Sequence, residues 1–116
     1  MNFKLTALLS KAYSAFNTRQ ISDVLKLMHA EVEWPNGWEG GYVYGHEAVM
    51  EYWTRQWKEM DPEVYPIEYN EIDNNTIKVT VNQKIKDKRG NIIADRVVYH
   101  TYFFKEGLIR RMEIEE

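Results

Sequence analysis

Apolar residues recur at helical spacing through the first half of the chain and at alternate positions through the second, with the change falling near Pro62. Leu5, Leu8, Leu9, Ala12, Ala15 and Phe16 make a stripe that predicts a helix over about 3–16. Tyr13, one turn after Leu9, reads as a half-buried packing residue whose hydroxyl can reach a cavity. The polar residues 17–20 break the period, and Ile21, Val24, Leu25 and Met28 restart it as a second short helix, so the two helices form a hairpin. From Ala30 the pattern alternates, with Val32 and Trp34 opposite Glu31 and Glu33, giving a short strand that Pro35 stops. Residues 36–41 are a glycine-rich loop without phosphate-binding spacing, and its Trp38 needs a surface to pack on, such as the rim of a pocket. Val49, Trp53, Gln56, Trp57 and Met60 predict a third helix over 45–60, ended by Asp61-Pro62. Its two tryptophans mark the face that lies on a sheet, and His46 in its first turn is expected in solvent.

Beyond Pro62 the alternation predicts strands over 64–72, 76–86, 92–104 and 108–114, joined by links of hairpin length. They make an antiparallel meander, with the strand around Val32 available as a further edge. The third of these strands holds the run Val97-Val98-Tyr99-His100-Thr101-Tyr102-Phe103-Phe104, in which Val98, His100, Tyr102 and Phe104 share one face and Val97, Tyr99, Thr101 and Phe103 the other. Both faces are mostly apolar, as in a central strand covered on each side. His100 is the one side chain in that run whose ordinary pKa lies near neutrality. On the preceding strand Gln83 shares a face with Ile77, Val79, Val81 and Ile85. A buried amide without partners costs about 1–3 kcal/mol, so Gln83 is expected to meet backbone, His100, water or ligand.

One domain, residues 1–116, accommodates this length, with a core that buries roughly two thirds of the unfolded surface. A net charge of −3 with interspersed signs offers no basic patch and argues against nucleic acid. No apolar run suits a membrane span and no signal-peptide pattern opens the chain, so a soluble, cytoplasmic protein is expected. Cysteine is absent, which removes disulfides, thiolate metal sites and Cys nucleophiles, and the three dispersed histidines make no metal-ligand pattern. No cofactor is implied. Aromatic residues make up 14% of the chain, enough either to fill a core or to line a pocket for a flat apolar ligand.

The segments AFNTRQISDVLKLMHAEVEWPNGWEGG, YGHEAVMEYWTRQW and DRVVYHTYFFKEGLIRRMEI together resemble the NTF2-like α+β cone and, within it, the SnoaL-like group. The resemblance implies three N-terminal helices packed on a curved antiparallel sheet, and a conical pocket between them that opens near the first helix and the Trp34 to Gly41 loop. It implies no single activity, because the fold hosts isomerases, dehydratases, cyclases, epoxide hydrolases and binding proteins. In ketosteroid isomerase, which shares this topology, the base precedes the Pro that ends the first strand; that position is Trp34 here. The oxyanion-hole Tyr falls at Ala12, with Tyr13 turned about 100° away around the helix, and the oxyanion-hole acid falls at His100. The Asp-Arg-Asp set of limonene epoxide hydrolase has no match, since Asp95 and Arg96 point to opposite faces of one strand.

The pocket is accordingly expected to be lined by Trp34, Trp53, Trp57, Gln83, Val98, His100 and Tyr102, with Tyr13 and Trp38 as further ligand contacts. In an enzyme, His100 would be the acid or base, its ordinary pKa of about 6.5 giving both forms near neutrality, and Gln83 or Tyr102 would hold a carbonyl oxygen as charge develops. The reaction would then be isomerisation, dehydration or cyclisation beside a carbonyl. The alternative is a non-catalytic domain that takes up a small apolar or aromatic molecule, and a third reading makes His100 a satisfied core residue. Tyr99, Thr101 and Phe103, opposite the pocket, predict a homodimer joined through the convex face of the sheet.

Overall fold

The computed structural model describes residues 3–116 and runs α1 (Phe3–Asn17), α2 (Ile21–Leu25), β1 (Met28–Pro35), β2 (Tyr42–Tyr44), α3 (Gly45–Glu59), β3 (Asp61–Asp73), β4 (Thr76–Lys86), β5 (Ile92–Lys105) and β6 (Leu108–Glu115). The six strands form one sheet in the order β2-β1-β6-β5-β4-β3. Its long strands β3 to β6 are the expected meander. Ile77, Val79, Val81, Val98, Ile109 and Met112 on its concave face are fully buried, against Leu9 of α1 and Val49 and Trp53 of α3.

Four features depart from the pattern read along the chain. The second helix is only five residues long, and Met28 begins β1 instead of ending that helix. Its side chain enters the core, and its carbonyl accepts a hydrogen bond from His46 Nε2 at 2.9 Å, so His46 is half-buried and not free in solvent. Residues 42–44, unassigned between the expected loop and the third helix, form β2, which pairs Val43 with Trp34. The strand around Val32 is no edge: β1 lies between β2 and β6 and runs parallel to β6, so the sheet is mixed. Glu33 fastens that pair, accepting from Arg110 Nη1 at 2.7 Å and Arg111 Nη1 at 2.8 Å.

Two further devices hold α1 over the sheet. At the end of the helix Arg19 takes φ 63°, with its N–H donating to the Phe16 carbonyl and the Gln20 N–H to that of Ala15. This is a helix-ending turn that glycine usually supplies; here the Arg19 guanidinium lies 4.8 Å from the Trp57 ring centroid, which holds the side chain over α3. Asn17 meanwhile reads the open side of β3, its amide donating to the Val64 carbonyl at 2.8 Å and accepting from the Val64 N–H at 2.9 Å. Pro62 and Pro66 are tolerated within β3 because it is an edge strand. No helix among the described residues is long and apolar enough to cross a membrane.

Candidate functional site

Between the concave face and the helices lies a cavity of about 630 Å³. At its inner end α1 and β5 bring three side chains together, Tyr13, His100 and Tyr102, all buried. Tyr102 Oη donates to Tyr13 Oη at 2.9 Å, and Tyr13 Oη lies 2.9 Å from His100 Nδ1. With Tyr102 as the donor to Tyr13, the Tyr13 proton is directed to Nδ1. That places the imidazole proton on Nε2. Among the described residues Nε2 has no hydrogen-bond partner, although it is shielded from solvent.

Burial decides the charge here. It lowers the His100 pKa to about 4, so the ring is neutral near pH 7, and the expectation of both protonation forms at neutrality does not hold. Burial also raises both phenols well above the ordinary tyrosine value. The inner end thus presents one unpaired N–H donor, with no ionised group and no free lone pair on the ring.

The wall above this triad is aromatic. Trp34 of β1 meets Trp53 of α3 edge-on at 5.5 Å between centroids and Tyr102 at 6.3 Å, and Tyr52, Phe16 and Met112 also line the cavity. Trp38 sits at the rim, 41% exposed, on a loop more ordered than its glycines suggest. Asn36 Oδ1 accepts from the N–H groups of Trp38 and Glu39 at 3.1 and 2.7 Å, and Arg55 of α3 ties Glu39 down at 3.1 Å. Gly40 and Gly41, at φ 89° and 73°, supply the left-handed turn back into β2.

The outer cavity carries its charge in one place. Gln83 and Arg96 are cross-strand partners, and Arg96 Nε donates to Gln83 Oε1 at 3.0 Å. Arg96 Nη1 also meets Glu116 Oε1 at 2.8 Å. Arg96 and Glu116 are the fully charged side chains among the cavity-lining residues.

Of the residues singled out from sequence, Tyr13, Trp34, Trp38, Trp53, Gln83, His100 and Tyr102 line this cavity. Val98 and Trp57 do not. Val98 is fully buried in the core, and Trp57 stacks on Trp53 at 5.7 Å beneath Arg19. Gln83 does not converge with His100: His100 pairs with Val79, four residues from Gln83, a separation of about 13 Å along the strand. Its partner is Arg96, so the two cannot hold one carbonyl oxygen. Tyr13 is more than the half-buried packing residue expected, since it joins the other two. Arg96, Glu116 and Tyr52 escaped the sequence reading. Arg96 was detectable, because it shares the strand parity of Val98 and His100. Among the described residues no group of three His, Cys, Asp or Glu side chains is arranged to hold a metal ion.

No curated protein sequence matches the chain at a significant level. Solved structures match it closely in backbone. TerC, crystallised with polyporic acid, is 24% identical with a TM-score of 0.84, over 96% of this chain and 89% of that one. An NTF2-like protein of unknown function from Burkholderia pseudomallei is 20% identical with a TM-score of 0.85, over 97% and 89%. A Mycobacterium tuberculosis protein in complex with estradiol-17β-hemisuccinate is 17% identical with a TM-score of 0.82, over 96% and 92%. These likenesses establish the NTF2-like α+β fold. The model of the SnoaL-like domain matches residues 9–112, from the middle of α1 to the middle of β6, and the chain therefore belongs to the SnoaL-like domain family.

Proposed function

We propose that this protein binds a small, largely apolar molecule in its cone and holds an acceptor oxygen of that molecule on the His100 Nε2–H. The observation that carries this reading is the buried, unpartnered Nε2 beside a roomy aromatic cavity. A buried donor without a partner costs about 1–3 kcal/mol, which a ligand carbonyl, ether or hydroxyl oxygen recovers on binding. The cavity volume of about 630 Å³ lies within the range of small-molecule sites. That TerC and the Mycobacterium tuberculosis protein were crystallised with polyporic acid and an estradiol ester supports a ligand of this size class.

The same geometry argues for a hydrogen-bond donor over a proton-transfer group. If Nε2 gave up its proton while Nδ1 took that of Tyr13 and Tyr13 took that of Tyr102, a buried Tyr102 phenolate would remain, which burial strongly disfavours. Isomerase, dehydratase or cyclase chemistry in this cone would use His100 to stabilise charge growing on a carbonyl oxygen, with the proton acceptor supplied by substrate or solvent. Two putative polyketide cyclases, from Sinorhizobium meliloti and Xanthomonas campestris, share the fold. The absence of cysteine fits a cytoplasmic setting. The convex face supports a homodimer: Val97 is 48% exposed there and Tyr99, Thr101 and Phe103 are only half-buried.

The test compares 9-fluorenone with fluorene, which differ by the carbonyl alone, through quenching of tryptophan fluorescence. The ketone should bind about tenfold more tightly to the native protein, the factor expected of one recovered buried hydrogen bond, and His100→Leu should abolish the difference. Equal affinity of ketone and hydrocarbon for the native protein would refute the role given to His100.

A further inference from the structure

The outer cavity carries a second recognition element, one that deepens the reading of the cone as a ligand site and rests on it. Arg96 and His100 have the same strand parity and line the same cavity, four residues and about 13 Å of strand apart. Apart from Gln56, Gln83 and Glu116 the other lining residues are apolar, aromatic or glycine, so one fixed donor stands at the inner end and one cation at the outer end. Gln83 orients the guanidinium through Nε, and Glu116 occupies Nη1. Glu116 is a weak occupant: its side chain is 69% exposed and that of Arg96 49%, and ion pairs so open to water contribute little. A carboxylate entering on an apolar body would be partly shielded by that body and could take the place of Glu116 with no net loss of pairing.

We propose that the preferred ligands are amphipathic acids, with an acceptor oxygen at one end of a flat apolar body and a carboxylate at the other, and that Arg96 binds the carboxylate by exchange with Glu116. Arg96 is then a specificity residue and Glu116 an internal competitor. The arrangement predicts opposite effects from neutralising the two. Removing the cation abolishes the preference for an acid, and removing the competitor increases it.

Two ligands separate this idea from the one it rests on: 4-(9-oxofluoren-2-yl)butanoate and its methyl ester, titrated at low salt with tryptophan fluorescence as readout. The acid should bind the native protein about fivefold more tightly than the ester, because a pair shielded by the ligand body exceeds the open pair it replaces, and 0.5 M salt should erase the preference. Arg96→Gln should abolish the preference of the acid over the ester, and Glu116→Gln should increase it. If both ligands bind the native protein equally, or if the preference survives Arg96→Gln, the carboxylate subsite is refuted and the cone remains a ligand site. If neither ligand binds, both ideas fall together.

Discussion

The most consequential residue is Tyr13, because it sets the direction of every hydrogen bond at the inner end of the cavity. Tyr13→Phe leaves the Tyr102 hydroxyl and His100 Nδ1 without partners, and should cost about 2 kcal/mol or more in urea unfolding while His100 loses its fixed tautomer. His100 itself makes stability depend on pH. Its folded pKa of about 4 lies below the ordinary 6.5, so between those values the unfolded chain takes up a proton that the folded chain refuses. The contribution is complete above pH 6.5 and is lost as pH falls toward 4, on the order of 3 kcal/mol in all. The groups facing the ring, Tyr13 and Tyr102, stay neutral throughout that window. Urea titrations at pH 7 and pH 4.5 should therefore show a loss in the native protein that is smaller in His100→Leu. His100 was legible as a polar exception in an apolar strand. Its charge state was not, because desolvation depends on what α1 lays over it. Tyr13 stood beside the Ala12 position suggested by family likeness, and a side chain of that length covers the angular offset.

At the scale of elements, one amide fastens the open side of the edge strand β3 to the end of α1. Asn17→Ala removes both partners of the Val64 backbone and should destabilise the fold by about 1–3 kcal/mol, whereas an exposed neighbour such as Thr18 should tolerate alanine with less effect. Unfolding followed by circular dichroism distinguishes the two. Elements with long, regular periods were readable from sequence: α1, α3 and the four strands of the meander. The short pieces were not. β2 is three residues in a segment whose glycines signal a turn, and α2 ends early because Met28 is apolar enough to serve either a helix stripe or a strand core. Nor does alternation carry any record of partners, so nothing in the pattern around Val32 announces that β1 runs parallel to β6. Arg96 is a different case: with Asp95 it makes no catalytic set, and its parity with Val98 and His100 is what puts it on the pocket face.

For the whole molecule, the convex face is the test of assembly. Lys78 lies over the Tyr99 ring at 5.1 Å and Arg111 over Tyr42 at 4.3 Å, so the aromatic surface is partly roofed by cations, yet Val97 stands clear. Sedimentation equilibrium at micromolar concentration should give twice the 13.9 kDa chain mass, and Phe103→Glu should return the single-chain value. A native mass of one chain would overturn the dimer.

The place of β6 between β1 and β5 bears on how the molecule comes together in time. A ribosome delivers α1, α2, β1, β2 and α3 first, then the hairpins of β3, β4 and β5, and only afterwards the strand that joins the two groups. Until β6 arrives, β1 and β5 each present an unpaired edge, and Glu33 lacks the two arginines that fasten it. Closure of the cone is therefore a late, long-range event, of the kind that slows folding and exposes strands to wrong partners. A nascent chain halted before Leu108 should remain a substrate for chaperones, and release of the next eight residues should convert it to the folded form in one cooperative step.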